Sequence, residues 1–237
     1  MDYLLLPEFH EIWLKHEDMY LRVFWLSLRN LAGRKRLVGD ENKINELLYT
    51  ITRKVCFEIE KKENWEIAYP CYELPKQPAN ERELTGGNKG KRPDFSCKFK
   101  NSFAESAEDG EIFFYVECKL IGKAESSNPL NKKYVAEGIK RFVSKTHEYG
   151  KRAPSGLMIG YMINMTPQTI QDDINTHIRK VLRGNPEIGF AFSDNEVISK
   201  TEQKLIRSEV LPKNFKLLHL WVDLRKNYKF ESKKSKI

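Results

Sequence analysis

The chain has 237 residues, 40% of them hydrophobic and 31% charged, and a formal net charge of +8. The apolar fraction is sufficient for a packed core, so the composition excludes an intrinsically disordered chain. The excess of basic residues favours a polyanionic partner, with nucleic acid ahead of a membrane surface. No run of about 18 apolar residues occurs, and residues 1–7 lack a basic start, so we predict neither a transmembrane helix nor a secretory signal.

The cysteines indicate a reducing compartment. They are Cys56, Cys71, Cys97 and Cys118, and no two of them have the spacing of a Cys-x-x-Cys pair. Cys97 and Cys118 fall in the apolar rows of predicted strands. We therefore expect buried, reduced thiols in a cytoplasmic protein, and no zinc site.

Two helices are predicted at the start of the chain. Over residues 8–36 apolar side chains recur at helical spacing, with Pro7 suited to the first turn and Gly33 to the end. The aromatic stripe of this helix is expected to pack in the core or at a subunit interface rather than to bind a cofactor. Asp40 can cap a second helix over residues 41–61, which has its own buried apolar stripe.

A short strand and a long loop are predicted next. Apolar residues alternate within residues 64–69, and Pro70 ends the pattern. Residues 75–90 are rich in proline, glycine and charge, which predicts a loop. Its basic, glycine-rich end over residues 86–92 would let backbone N–H groups and cations approach a phosphate, with a solvent-exposed loop as the alternative. The segment lacks the Walker pattern of a nucleotide-binding loop.

Two strands joined by a polar connection are predicted within residues 91–120. Residues 94–100 alternate strictly between apolar and polar side chains. Residues 111–120 are aromatic and β-branched, as is typical of a mostly buried strand. Because side chains repeat every two residues along a strand, Glu117 and Lys119 point to the same face, about 7 Å apart.

Charged residues at the end of an apolar strand require compensation, because burying a charge is costly unless it is paired or binds a metal. If Asp94 lies beside Glu117, two carboxylates about 4 Å apart repel by about 4 kcal/mol at an effective dielectric of 20. A divalent cation between them would turn this repulsion into attraction, and carboxylate oxygens suit Mg²⁺ or Mn²⁺. Lys119 would then hold or deprotonate a water, or stabilise charge on a phosphate. The alternative is a hairpin with a solvated aspartate and a surface Glu–Lys pair.

These residues resemble the signature of the PD-(D/E)XK nuclease superfamily. Pro93-Asp94 matches its first half, and Glu117-Cys118-Lys119 matches its second half. The resemblance implies that Asp94, Glu117 and the backbone carbonyl of Cys118 bind Mg²⁺. It also implies that Lys119 assists the attacking water.

The same resemblance implies that a glutamate in the helix before the sheet completes the metal site. Glu46 is the preferred catalytic candidate, because it lies next to the apolar pair Leu47-Leu48. Glu41 and Glu58 are its rivals. A solvated helix face accounts for Glu46 equally well.

A basic helix is predicted beside the candidate site. Residues 122–131 form a polar loop, and residues 132–149 have helical periodicity with lysines and arginines facing outward. Residues 134–142 resemble segments that follow the signature in some bacterial defence-associated nucleases, and they make Arg141 the favoured substrate contact. A salt bridge from Arg141 to Glu137 at i, i+4 is the structural alternative. The predicted substrate-binding residues are Lys91, Arg92, Lys123, Lys140 and Arg141.

The remaining pattern predicts two more strands and a helix. Residues 155–164 are nearly all apolar, as expected for a central strand covered on both faces. A helix follows over residues 168–182, a short edge strand is predicted at 190–193, and a last strand at 216–224. The lysine-rich tail from Lys226 is expected to fray and to add nonspecific affinity for nucleic acid.

The order of these elements predicts an α/β fold with a central mixed β-sheet flanked by helices. It also matches the restriction endonuclease-like core of the resembling family, with an extra N-terminal helix. We divide the chain into an N-terminal helical extension (1–40), a nuclease-like domain (41–225) and a basic tail (226–237).

The predicted function is a Mg²⁺- or Mn²⁺-dependent nuclease that hydrolyses phosphodiester bonds, with DNA favoured over RNA. Its setting would be prokaryotic defence or DNA processing in the cytoplasm, away from membranes. Activity that depends on a second copy or a partner protein is consistent with the absence of a recognisable target-reading domain or motor motif. The alternative is a non-catalytic nucleic-acid-binding or assembly subunit that retains the nuclease fold.

Overall fold

A mixed β-sheet forms the centre of the fold. The computed structural model describes residues 3–64, 66–76, 91–124, 129–189, 192 and 196–230. The strands in chain order are β1 (Leu37–Val38), β2 (Cys71–Tyr72), β3 (Phe95–Lys100), β4 (Glu111–Ile121), β5 (Ser155–Met162), β6 (Ile198–Ile206), β7 (Asn214–Asp223) and β8 (Tyr228–Lys229). Six of these strands form one sheet in the order β2-β3-β4-β5-β7-β6, and β1 pairs with β8.

The middle of the sheet is parallel and its margins are antiparallel. Strand β5 pairs in parallel with both β4 and β7, whereas β2–β3, β3–β4 and β6–β7 are antiparallel pairs. The longer helices are α1 (Pro7–Ala32), α2 (Glu41–Glu63), α3 and α4 (Pro167–Val181). Helix α3 consists of three consecutive segments, which are α-helical Leu130–Lys133, π-helical Tyr134–Ile139 and α-helical Lys140–Val143. The predicted α/β class, a mixed sheet flanked by helices, is confirmed.

Helices cover both faces of the sheet, and strand β4 contributes to the core on each side. Phe114 and Val116 pack in the cluster that holds the apolar sides of α1 and α2. Tyr115 and Ile121 pack in the cluster that holds α3 and α4. Because side chains alternate along a strand, Glu117 and Lys119 lie on the α3 side. No helix among the described residues is long and apolar enough to cross a membrane.

The two N-terminal helices form where their caps and apolar stripes predict. Helix α1 buries one continuous aromatic side, which includes Phe9, Trp13 and Phe24. Helix α2 begins after Asp40, whose side chain accepts a hydrogen bond of 3.1 Å from the backbone N–H of Lys43. This cap satisfies one of the free N–H groups at the helix start.

The strand predicted at residues 64–69 is wrong for the part that the structure describes, residues 64 and 66–69. The backbone groups there bond to helix side chains instead of to a neighbouring strand. The N–H of Ile67 donates to Glu60 Oε1 at 3.0 Å, and the carbonyl of Ala68 accepts from the Tyr20 hydroxyl. Because these groups are satisfied locally, pairing with β3 begins only at Cys71.

The helix predicted over residues 132–149 is shorter than its periodicity indicates. Helix α3 ends at Val143, and Ser144 is extended, with φ −81° and ψ 132°. The chain then turns back, so that the backbone N–H of Tyr149 donates to the carbonyl of Arg141. The Tyr149 ring is fully buried against Tyr115. Burial of this ring explains why the helix does not continue.

The sequence analysis missed strand β6 and the two-residue strands β1, β2 and β8, and the fraying predicted from Lys226 is wrong for residues 226–230. Strand β6 carries charged residues at alternate positions and forms one margin of the sheet. Residues 226–230 are not frayed, because β8 pairs with β1 and the Tyr228 hydroxyl donates to the Gly39 carbonyl. The edge strand predicted at 190–193 lies outside the described residues, except for Phe192.

Candidate active site

Strand β4 extends beyond the end of its neighbour, and two carboxylates fill the gap. Strand β3 pairs with β4 only as far as Val116. Beyond this point, the N–H groups on the β3 side of β4 have no strand partner among the described residues. The N–H of Cys118 donates to Asp94 Oδ2 at 2.6 Å, and the N–H of Leu120 donates to Glu41 Oε2 at 3.0 Å. Buried backbone N–H groups need hydrogen-bond acceptors, so these two hydrogen bonds hold both carboxylates along this edge of β4.

Both acids are fixed by the elements that carry them. Asp94 directly precedes β3, whose antiparallel pairing with β4 sets its position. Glu41 is the first residue of α2, where the helix dipole favours a negative charge. Each carboxylate therefore reaches the edge of β4 from a rigid element.

Lys119 lies at the centre of the site with all its donors used. Its Nζ donates to Glu41 Oε1 at 2.8 Å, to Glu117 Oε1 at 2.7 Å and to the Cys118 carbonyl at 2.8 Å. Three acceptors match the three donors of an ammonium group. The side chain is 7% exposed, so the amine is held in one position.

Glu117 is completely buried and only half satisfied. Its Oε1 accepts from Lys119 and also from Arg141 Nη1, at 2.6 Å. Its Oε2 is buried and has no hydrogen-bond partner among the described residues. A buried carboxylate oxygen without a partner is costly and indicates a place for a further ligand.

Burial and mutual repulsion perturb the titration of this group of residues. Burial raises the pKa of Asp94 well above its usual range, and the charge of Glu117 raises it further. Burial also raises the pKa of Glu117, although Lys119 and Arg141 partly oppose the change. Burial alone would lower the pKa of Lys119, but the carboxylates of Glu117, Glu41 and Asp94 raise it overall. Three carboxyl groups therefore face two basic side chains, and the group carries an excess of negative charge only when all three are ionised.

The residues fit a divalent cation with oxygen ligands. Asp94, the free Oε2 of Glu117 and the Cys118 carbonyl offer hard oxygen donors on one edge of β4. Among the described residues no group of three or more His, Cys, Asp or Glu side chains is arranged to hold a metal ion. A Mg²⁺ ion typically takes one or two carboxylates and keeps several waters, so it needs fewer protein ligands than such a group provides.

The helix glutamate that contacts the site is Glu41, which the sequence analysis named only as a rival of Glu46. Glu46 is exposed on α2, and its charge acts on the hydroxyl of Tyr72, whose pKa is raised to about 12, mainly by burial. Glu58 is exposed and lies 3.8 Å from Lys54. A catalytic role for Glu46 stays a prediction.

The predicted substrate-binding residues have three different surroundings. Arg141 forms an ion pair with Glu117, and not the alternative salt bridge to Glu137 that the sequence suggested. Lys91 and Lys140 lie close enough to His147 for their charges to act on it. The exposed side chains of the other two, Arg92 and Lys123, take no part in the contacts described above.

A positive surface formed by Arg141, Lys91, Lys76 and Lys140 surrounds His147 beside the site, and sequence reasoning missed Lys76 and His147. His147 is half-buried, and burial lowers its pKa to about 4 with the help of positive charge on Arg141, Lys91, Lys76 and Lys140. Lys76 Nζ donates to the carbonyl of His147 at 3.2 Å. No local pattern marks Lys76 or His147, because one lies in a loop and the other in a turn about 70 residues away.

Comparisons with known proteins found no match. No protein-family model, curated protein or solved structure matched the chain. The functional assignment therefore depends on the residues and contacts of the chain itself.

Proposed function

We propose that this protein is a metal-dependent nuclease with a restriction endonuclease-like core that hydrolyses nucleic-acid phosphodiester bonds, with DNA favoured over RNA. The observation that carries the proposal is the meeting of Asp94, Glu117 and Lys119 where β4 extends beyond β3, with Glu117 Oε2 buried and without a partner in the described part of the chain. The spacing Pro93-Asp94 and Glu117-Cys118-Lys119 supports it independently through its resemblance to the nuclease signature.

The side chains have distinct parts in the proposed reaction. Asp94, Glu117 and the Cys118 carbonyl would hold Mg²⁺ or Mn²⁺, which when bound supplies an activated water and charge stabilisation at the phosphate. Lys119 keeps its proton, because the surrounding carboxylates raise its pKa. It would therefore act as a hydrogen-bond donor rather than as a general base. To orient the water and stabilise negative charge, it would exchange one of its three present acceptors for the water or the phosphate.

The surroundings suit a polyanionic substrate. Arg141 can exchange Glu117 for a phosphate, because a guanidinium fork binds both groups with similar geometry. Lys76, Lys91 and Lys140 extend the positive charge away from the carboxylates. These residues would hold the backbone in place, and positioning of this kind contributes much of the rate in phosphoryl transfer.

The proposal is tested with the full chain incubated with plasmid, linear duplex, single-stranded DNA and RNA in Mg²⁺ or Mn²⁺, with EDTA as the metal-free arm. Cleavage should require the metal and should be lost in D94N and K119M. Asp94→Asn keeps an acceptor for the Cys118 N–H, so loss of activity reports the charge rather than the fold. K200M, on the exposed side of β6, is the matched lysine control. Undiminished cleavage by folded D94N or K119M would refute the assignment.

One observation favours the rival function, a nucleic-acid-binding or assembly subunit without catalysis. Lys119 and Arg141 already neutralise Glu117 Oε1, which is the arrangement that a metal-free scaffold would keep. In that case the protein would bind nucleic acid in Mg²⁺ without cutting it, and E117Q would bind as well as the wild type.

The predicted association with a second copy is tested separately. Light scattering with and without nucleic acid gives the molar mass and so the oligomeric state.

A further inference from the structure

A groove of about 930 Å³ lies on the sheet next to the candidate active site. Its floor is formed by the first half of β4 and the facing half of β3. Lys98 pairs in register with Phe113, and Lys100 pairs with Glu111. Paired residues of antiparallel strands project to the same face, so cationic and aromatic side chains stand side by side there.

The groove leads along β4 to the carboxylates. Phe113, Tyr115, Glu117 and Lys119 occupy alternate positions and therefore share one face. At about 3.4 Å per residue, Phe113 is about 14 Å from Glu117 along the strand. On the opposite wall Lys76 lines the groove and also donates to the His147 carbonyl, which connects it with the positive surface beside Arg141.

The charge of the groove suits phosphate. The side chains that line it include five cations, Lys76, Lys98, Lys100, Lys151 and Arg152, and two anions, Glu108 and Glu111, which gives a net charge of +3. Four of these cations already have carboxylate partners. Lys98 lies 2.5 Å from Glu111, and Arg152 lies 3.4 Å from Glu108 and 3.2 Å from Asp109. Lys76 and Lys151 lie 3.6 Å and 3.3 Å from Glu148, which is outside the groove lining. The Lys98–Glu111 pair is exposed and therefore weak, so a phosphate can compete for Lys98. Lys100 is exposed on the same face of β3, where it can also meet a phosphate.

The aromatic rings form a supported platform. The rings of Phe113 and Tyr115 are parallel to within 5°, with centroids 5.6 Å apart. Tyr115 is buried and lies 5.4 Å from the ring of Tyr149, whereas Phe113 is only partly buried and lines the groove. Phe113 therefore presents a ring that is held from behind by other rings.

We propose that this groove binds a single-stranded segment of nucleic acid, with a base stacked on Phe113 and the phosphates on the lysines, and directs that strand toward Asp94 and Glu117. An aromatic ring beside cations is the arrangement that binds single strands, because every unpaired base offers a face for stacking. A duplex keeps its bases inside and offers such a ring no partner. The inference names the substrate class of the proposed nuclease and so rests on that function, but the binding itself requires no metal.

The test measures binding in EDTA, so that chemistry plays no part. Fluorescence anisotropy of the full chain is followed with a labelled single-stranded DNA, the RNA of the same sequence and the corresponding duplex. The wild type should bind a single strand more tightly than the duplex, and either sugar satisfies the inference. Phe113→Leu keeps an apolar side chain but removes the ring. It should weaken single-strand binding about tenfold and leave duplex binding unchanged.

The lysine arm uses two exposed strand residues as a matched pair. Lys100→Gln should weaken single-strand binding and reduce the slope of log K against log salt concentration by about 0.7, the value for one phosphate contact on a single strand. Lys200→Gln, on β6 at the other margin of the sheet, should change neither quantity. Because Lys100 is exposed, its variant keeps the test valid if Phe113→Leu fails to fold.

The outcomes separate this inference from the proposed function. The inference that the groove binds a single strand would be overturned by equal affinity for duplex and single strand. It would also be overturned if neither Phe113→Leu nor Lys100→Gln weakened single-strand binding. If metal-dependent cleavage is absent while both variants weaken single-strand binding, the nuclease proposal fails and the binding site stands. If cleavage depends on Asp94 but neither groove variant affects binding, the single-strand binding site is refuted and the nuclease proposal stands.

Discussion

At the scale of single residues, Glu117 is the side chain on which the site depends. One of its oxygens carries two ion pairs and the other has no partner among the described residues. Arg141 and Lys119 therefore perform part of the task that a divalent cation would perform, which is to compensate a buried charge. A cation bound at the free oxygen would compete with Arg141 for the negative charge of this carboxylate, and that competition can be measured.

Replacing Arg141 by Met should destabilise the metal-free protein and increase its response to metal. Breaking a buried ion pair leaves the remaining charge uncompensated, and because Arg141 is partly exposed we expect a loss of about 2 kcal/mol in the free energy of unfolding. Mg²⁺ or Mn²⁺ should recover more of the melting temperature in R141M than in the wild type, because binding to the folded state stabilises it. Thermal unfolding in EDTA and in metal measures both.

The matched control breaks an ion pair at the surface. Arg225 binds Asp223 through its guanidinium group. Asp223 is the last residue of β7, and β5 separates β7 from β4 in the sheet. R225M should cost no more than about 1 kcal/mol and should leave the metal response unchanged. An equal metal-induced shift in R141M and the wild type would show that Arg141 does not compete with the cation.

At the scale of elements, β5 is packed so closely by its neighbours that Gly160 has no room for a side chain. Gly160 pairs in register with Lys119. A Cβ at this position would lie 2.8 Å from Ile121 Cδ1 and 3.3 Å from Trp221 Cε3. The strand is buried along its whole length, so these neighbours cannot move into solvent. Glycine is required here by close packing.

Replacing Gly160 by Val should therefore cost about 3 kcal/mol in the free energy of unfolding, the upper end of the usual range for overpacked cores. Urea denaturation gives the value. Gly189→Ala is the control, because a Cβ at Gly189 meets nothing within 4 Å. It should change stability by less than about 0.5 kcal/mol. A G160V protein as stable as G189A would contradict the packing argument.

At the scale of the whole molecule, acid sensitivity arises from histidines in separate parts of the fold. Burial lowers the pKa of His16 on α1 to about 4, and that of His219 on β7 to about 3. Burial, together with nearby positive charges, lowers the pKa of His147 to about 4. An unfolded histidine takes up its proton near pH 6.5, so below that pH the unfolded state binds more protons than the folded state.

The stability that these histidines contribute is therefore complete above about pH 6.5 and is lost as the pH falls toward 4. Each histidine changes the free energy of unfolding by up to about 1.4 kcal/mol per pH unit in this window. The raised pKa values of Asp94 and Glu117 act in the opposite sense, because the folded state holds those protons more firmly. The histidine contribution must therefore be isolated with a variant.

His219→Asn provides that variant, since an amide can keep the hydrogen bond with the Tyr134 hydroxyl. Urea denaturation in EDTA from pH 4.5 to pH 6.5 should show a pH slope reduced by about one proton relative to the wild type. His10→Asn, which removes an exposed histidine, serves as the control. An unchanged slope in H219N would show that His219 is not a source of the acid sensitivity.

The sequence by itself determined what depends on local backbone geometry. Two-residue alternation placed Glu117 and Lys119 on one face of a strand, and Asp40 marked the start of α2. Strand β5 was recognisable because a continuous apolar run of that length suits a strand covered on both sides. These features are set by the periodicity of the chain and by neighbours within a few residues.

Only the tertiary structure decided which residues meet across long separations. It selected Glu41 rather than Glu46 as the partner of Lys119, because α2 begins at the point where β4 extends beyond β3. It directed Arg141 to Glu117, and it assembled the groove from strands and turns up to 81 residues apart, as the Cys71 and Arg152 walls illustrate. The physical reason is that such contacts are fixed by the packing of whole elements, which no local pattern of side chains encodes.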